Sequence, residues 1–201
     1  MTGKRAAPDP GQEAGTPGVR VDVIGAGAVR RGDAAVTGLA LGGRRARVAL
    51  GALALAGGPV AADRLAALIW SNEPPATWPV ALRGVISSLR AALNIVAADG
   101  QRLIVTTPSG YCLAPGVTVD LDLVEEALAE ADVLAAHGRH EAAIAVAEPV
   151  TGISGDQLLP GEDGSWLASH RGRADALALR ALELVAESAG ALGDHHRAIA
   201  A

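Results

Sequence analysis

The chain has 201 residues, of which half are hydrophobic, and a single cysteine, Cys112. One cysteine excludes a disulfide framework within the chain. The longest strongly apolar run, Val48–Ala56, is far shorter than the ~20 residues that span a bilayer, which excludes a transmembrane helix. Residues 1–18 have no apolar segment typical of a secretory signal. We therefore expect a soluble, cytoplasmic protein with no membrane partner.

The net charge of −5 is unevenly distributed. Residues 19–116 carry ten Lys or Arg and five Asp or Glu, whereas residues 117–201 carry five and fifteen. A basic region suits a polyanion, and an acidic one suits protein or solvent. The asymmetry predicts two domains with a boundary near residue 116. The Pro-, Gly- and charge-rich residues 1–18 are typical of a disordered tail.

In chain order, the first predicted elements are three short strands, at Val19–Ile24, Ala28–Arg31 and Ala34–Thr37. Two helices follow, at about Arg44–Ala56 and Ala62–Trp70. A Gly-Gly-Pro sequence after the first helix supplies its end.

The third predicted helix, Trp78–Leu93, has two distinct faces. One face carries four aliphatic residues at i, i+4, i+7 and i+11: Leu82, Ile86, Leu89 and Leu93. The opposite face is small, hydroxylated and basic: Val80, Arg83, Gly84, Ser87 and Ala91. Thr77 is the predicted N-cap, and Pro79 suits the first turn. Such a helix either packs as an ordinary surface helix or enters a DNA major groove.

A hairpin is predicted directly after this helix. Arg102–Thr106 and Tyr111–Ala114 are short apolar segments on either side of the turn Thr107–Gly110. Strands, three helices and a hairpin make a winged helix-turn-helix, with this turn as the tip of the wing.

From Asp120 onward, helices predominate. A helix pair breaks at Gly138, and a longer helix runs from about Ser165 to Gly190. Gly138-Arg-His-Glu and Gly193-Asp-His-His each precede a helix, and recurring helical units are typical of a solenoid. The predicted class is mainly α with a small amount of β (α+β), namely a winged helix followed by a TPR-like helical domain. The chain stops about one turn into its second unit, so the pattern leaves two alternatives open: a complete protein, or part of a longer one.

Several motifs occur in one order: LGG at residues 41–43, W-x3-PP at 70–75, SSLRAAL at 87–93 and GYCL at 110–113. Over residues 19–201 the chain resembles the SARP family, antibiotic regulatory proteins with an OmpR/PhoB-type winged helix and a TPR-like bacterial transcriptional activation domain. The resemblance implies an activator of a biosynthetic gene cluster. It also implies binding to direct repeats near the promoter, contact with RNA polymerase and pairing of two copies on DNA.

The predicted DNA contacts lie on the third helix, the first helix and the wing. Arg83 suits a guanine edge or a phosphate, Ser87 a phosphate or base edge, and Arg90 a phosphate. Further candidates are Arg44, Arg45, Arg47, Arg102, Thr107 and Ser109. The alternative for each is a solvated surface residue.

Other sites are less well supported. Gly25-Ala-Gly27 after a strand is similar to a dinucleotide-binding loop, but Arg30 stands where that loop needs a third glycine and no acidic residue follows at the required distance. His137 and His140 lack a second ligand cluster for a metal. Cys112 is predicted to be a small buried residue. The sequence therefore predicts no enzyme, cofactor or metal.

The favoured function is a sequence-specific transcriptional activator that binds double-stranded DNA. The alternative is a helical-repeat interaction module with weak or lost DNA binding, which Gly84 and the Ala91-Ala92 pair favour.

Overall fold

A computed structural model of the chain describes residues 18–98 and 100–200. The predicted tail, residues 1–18, lies outside the described residues except for Gly18. The fold is mostly helical with two small sheets, which confirms the predicted class of a winged helix followed by a helical domain.

The described residues form seven α-helices: α1 (Gly43–Leu55), α2 (Ala62–Ile69), α3 (Trp78–Leu93), α4 (Asp120–Ala136), α5 (His140–Ala147), α6 (Ala168–Ala191) and α7 (His195–Ala200). The same ranges contain seven strands: β1 (Arg20–Asp22), β2 (Ala28–Arg31), β3 (Ala34–Thr37), β4 (Val60–Ala61), β5 (Ile104–Thr106), β6 (Gly110–Leu113) and β7 (Thr118–Val119). The predicted helices α1 to α6 and strands β1 to β3, β5 and β6 are thus confirmed to within a few residues. None of the helices in the described ranges is long and apolar enough to cross a membrane.

The strands make a four-stranded and a three-stranded sheet. The first has the order β3-β2-β1-β7, in which β7 runs parallel to β1 and the other pairs are antiparallel. The second, β4-β6-β5, contains the predicted hairpin and is antiparallel throughout. Sequence patterns did not predict β4 and β7, because two residues are too few to show the alternation that marks a strand.

The first hydrophobic core lies between the two sheets and helices α1, α2 and α3. The four predicted inward residues of α3 are each at most 1% exposed, so the predicted packing face is confirmed. Pro79 lies in the first turn of α3, as predicted. Thr77 occupies the N-cap position, but its side chain makes no capping hydrogen bond. That prediction is wrong because a side-chain cap requires an extended backbone, whereas Thr77 has φ −92° and ψ 18°.

A second, smaller core lies among α4, α5 and α6. It is built from alanines and branched aliphatics, including Ala131, Ile144 and Leu184, all at most 2% exposed. Gly138 (φ 73°) ends the α4 unit and Gly193 (φ 77°) ends the α6 unit. Both turns need the left-handed conformation that glycine adopts without strain. The recurring helix–turn–helix predicted from the two glycines is therefore present.

The winged helix and the helical domain share the first core. Leu121, Leu158, Leu159 and Leu167 belong to the same buried cluster as the α1 residues. Gly51 of α1 makes this contact possible, since a Cβ there would lie 2.3 Å from Leu159 Cδ1. The boundary near residue 116 stays a prediction, and β7, which follows it, is paired with the first strand of the chain.

Trp166 also belongs to this shared region. It packs, half-buried, against the cluster that contains the winged-helix residues. Asp120 adds a polar link, because its carboxylate accepts hydrogen bonds from the amides of Val23 (2.8 Å) and Ile24 (2.9 Å). Burial raises the pKa of the Asp120 carboxyl above its usual value, and the two hydrogen bonds offset only part of that rise.

Candidate nucleic-acid interface

The outer face of α3 is open to solvent along the whole helix. The exposed residues on it are Val80, Arg83, Gly84, Ser87, Ser88 and Ala91. They are exposed because the aliphatic stripe on the opposite side holds the helix against the core. The face is small and hydroxylated apart from Val80 and Arg83, so the helix backbone can approach a ligand closely.

Arg90 joins α3 to the wing. Its Nε and Nη2 donate to the Ile104 carbonyl at 3.1 and 2.7 Å, and its Nη2 also donates to Thr106 Oγ1 at 2.9 Å. The guanidinium carbon lies 6.0 Å from the centroid of the Tyr111 ring. Arg90 was predicted to bind a phosphate, and that role stays a prediction. The structure adds that Arg90 fixes the wing against α3.

The wing tip is held by hydrogen bonds within its own turn and by one to the first residue of α2. Thr107 Oγ1 accepts from the Gly110 amide at 3.1 Å, and the Ser109 carbonyl accepts from the Ala62 amide at 3.0 Å. Gly110 must be glycine here, because a Cβ would lie 2.0 Å from the Val60 carbonyl oxygen. The Ser109 side chain is exposed, whereas Thr107 is half-buried. Of these two candidates, Ser109 is the better placed for an outside partner.

Arg102 is the third candidate near the wing. It is exposed and lies in a short 3₁₀ turn, Gly100–Arg102, directly before β5. It is therefore at the base of the hairpin rather than at the tip.

The basic start of α1 faces the helical domain. Arg44 Nη2 lies 2.8 Å from Glu162 Oε2, and Arg47 Nη2 lies 2.6 Å from Glu162 Oε1. The Glu162 side chain is only 2% exposed, and its backbone carbonyl accepts from Arg171 Nη2 at 2.7 Å. Arg45 lies over the Trp70 ring, 5.5 Å from its centroid. DNA contact by Arg44 and Arg45 stays a prediction, but both already have partners within the protein.

These features can be compared with solved structures. The chain has the fold of EmbR. The match, to a structure titled Mycobacterium tuberculosis EmbR in complex with low affinity phosphopeptide, has a TM-score of 0.75 and 21% sequence identity. It covers 92% of this chain and 48% of the EmbR chain, so this chain spans about half the length of that protein. No family model matches the sequence, and no curated protein does.

The early glycines lie in a turn of this structure. Gly25 (φ 94°) and Gly27 (φ 82°) lie between the antiparallel strands β1 and β2. A dinucleotide-binding loop instead leads from a strand into a helix whose N-terminus faces the pyrophosphate. Strand β2 thus lies where a dinucleotide-binding loop would need a helix.

The remaining candidate sites have ordinary structural surroundings. His137 Nδ1 lies 2.7 Å from the Val133 carbonyl at the end of α4, and Cys112 is half-buried on β6. Within residues 18–98 and 100–200, no group of three or more His, Cys, Asp or Glu is arranged to hold a metal ion.

Two residues of interest were not predicted from the sequence. Ser88 is exposed beside Ser87, and its helical phase could have identified it. Glu162 had no detectable signal, because its bond to Arg47 joins positions 115 residues apart.

Proposed function

We propose that the chain is a sequence-specific DNA-binding transcriptional regulator, with α3 in the major groove and the wing beside the adjacent backbone. The observation that carries the proposal is the exposed outer face of α3, with the hairpin fixed beside it through Arg90. The fold of EmbR supports it, since that fold also combines a winged helix with a helical domain. The formal net charge of +5 over residues 19–116 favours an anionic partner.

In this proposal Arg83 donates to a guanine edge or a phosphate, and Ser87 donates to a neighbouring phosphate or base. Ser109 at the wing tip and Arg102 at its base contact the sugar–phosphate backbone. The contacts to phosphate set the orientation of the protein, and those to base edges set its specificity.

The resemblance to the SARP family supports the finer part of the proposal. In that part, the protein activates a biosynthetic gene cluster, binds direct repeats near the promoter in pairs and contacts RNA polymerase through its helical domain. The acidic character of residues 117–201 suits a protein surface better than a nucleic acid.

A second candidate function is an interaction module with weak DNA binding. It is favoured by the observation that two of the predicted DNA-binding arginines already bind groups within the protein. Arg44 is paired with Glu162 and Arg90 is bonded to the wing, which leaves Arg83 as the exposed arginine of α3. Few free cations mean few neutralised phosphates and a lower affinity.

A salt titration separates the two functions. The binding of the full chain to duplex DNA from its own promoter region is measured by fluorescence anisotropy at several salt concentrations. A DNA-binding domain shows an affinity that falls steeply with salt, with a slope of about −0.9 per neutralised phosphate. Arg83→Ala then lowers affinity, and its slope falls by about one if Arg83 holds a phosphate.

The matched control is Arg139→Ala. Arg139 is exposed in the turn between α4 and α5, so the substitution makes the same charge change away from α3. We expect this variant to bind like the original protein. Salt-independent or absent binding would overturn the proposed regulator and leave the interaction module.

A further inference from the structure

Val80 is an aliphatic residue on the outer face of α3. Its side chain is 63% exposed, and it is the third residue of the helix. Gly84, Ser87 and Ala91 follow it at i+4, i+7 and i+11, so the four residues form one stripe along the helix. A single exposed valine is unremarkable on a protein surface. Its place at the start of this stripe is what distinguishes Val80.

The rest of the stripe is short enough to bring Val80 close to a flat partner. Gly84 has no side chain, and a Cβ built there meets nothing within 4 Å of the protein. Ser87 and Ala91 add only one heavy atom or two beyond Cα. A helix with such a face can lie deep in a groove, where even the short isopropyl group of Val80 reaches the floor.

The major-groove edge of a base pair carries one apolar group, the C5 methyl of thymine. Recognition helices contact base edges with their N-terminal residues, which is where Val80 lies. Arg83 is three residues further on and exposed, so a polar contact and an apolar contact are available on adjacent turns.

We propose that Val80 contacts a thymine methyl and thereby selects a T·A pair next to the position that Arg83 reads. The inference rests on the proposed function, because it requires α3 to lie in the major groove. An apolar contact of this kind distinguishes thymine from other bases in a way that charge and hydrogen bonding alone do not.

The test begins with a DNA site chosen by the protein itself. The full chain selects duplexes from a randomised pool, and each thymine of the selected site is then replaced by deoxyuridine. This exchange removes the methyl and keeps the base pair. We expect one thymine at which the exchange weakens binding by about fourfold, the effect of one methyl leaving an apolar contact.

Val80→Ala identifies the residue that senses the methyl. We expect this variant to bind the thymine site several-fold more weakly, to show no difference between thymine and deoxyuridine there, and to keep its salt slope. The matched control is Val133→Ala on α4, because Val133 is exposed to a similar extent, 59%. The control should retain the fourfold effect.

The outcomes separate this inference from the proposed function. If DNA is bound but no thymine responds, or if Val80→Ala retains the full response, the Val80 contact is overturned while DNA binding stands. If no duplex is selected, DNA binding fails and the Val80 contact fails with it.

Discussion

At the scale of single residues, two helical glycines have opposite settings. Gly51 lies on the buried side of α1, where Leu159 occupies the space that a Cβ would need. Gly84 lies on the exposed side of α3, where the same Cβ meets nothing within 4 Å. Glycine destabilises a helix interior by roughly 0.5–1 kcal/mol relative to alanine. At Gly51 the packing of Leu159 explains why a glycine is present despite this cost. At Gly84 no contact within the protein explains it.

We therefore expect Gly84→Ala to raise the free energy of unfolding by about 0.5–1 kcal/mol, measured by urea denaturation. Gly172→Ala is the matched control, because Gly172 is also exposed within a helix and its Cβ is also free of contacts. Both substitutions should stabilise the fold. Only Gly84→Ala should alter DNA affinity, since only Gly84 lies on the proposed interface. A loss of stability in Gly84→Ala would contradict the open surroundings of that residue.

At the scale of elements, the wing and α3 act as one unit through Arg90. The guanidinium donates twice to the Ile104 carbonyl and once to Thr106. A hydrogen bond from a charged donor is worth about 1.5–3 kcal/mol when it is lost. Arg90 therefore ties the hairpin directly to α3, in addition to the pairing of β6 with β4.

Arg90→Ala should lower the free energy of unfolding by about 1.5–3 kcal/mol and speed amide exchange in the hairpin, as measured by hydrogen–deuterium exchange. Arg90→Lys should restore little, because an ammonium cannot reproduce the planar set of donors. If Arg90 only positions the wing, Arg90→Ala lowers DNA affinity but leaves the salt dependence of binding unchanged. Arg83→Ala, in contrast, lowers that salt dependence if Arg83 binds a phosphate. Unchanged exchange in the hairpin would refute the positioning role.

At the scale of the whole molecule, Glu162 holds the winged helix and the helical domain together. Its buried carboxylate lies between Arg44 and Arg47 of α1, and Arg171 of α6 binds its carbonyl. Removing one partner of a buried ion pair is costly because the remaining charge stays in a poorly solvated place. The shared hydrophobic core and this ion cluster make the joint between the two regions.

We expect Glu162→Gln to destabilise the protein by about 3 kcal/mol, near the low end for a broken buried pair because Arg44 and Arg47 keep some contact with water. The neighbouring Asp163→Asn is the control, since Asp163 is exposed. Its effect should be close to zero. Denaturant unfolding measures both variants, and equal effects would show that the charge of Glu162 does not stabilise the joint.

Short-range patterns allowed much of this architecture to be predicted. The four aliphatics of α3, the Thr107–Gly110 turn and the glycines at 138 and 193 each act within a few residues of chain. Helical and strand periods report which face is buried, because hydrophobic burial is decided along one element at a time. The exposed candidates Arg83, Ser87 and Ser109 follow from the same patterns.

The partners of the remaining arginines were decided by the tertiary structure. Arg90 meets a carbonyl 14 residues away, and Arg47 meets a carboxylate 115 residues away. Strand β7 pairs with β1, although the whole winged helix lies between them in the sequence. No local period encodes such pairs, since an ion pair or a two-residue strand needs only that the fold bring two distant points together. The sequence by itself determined the outward face of α3, and the folded chain decided which of its cations remain available on that face.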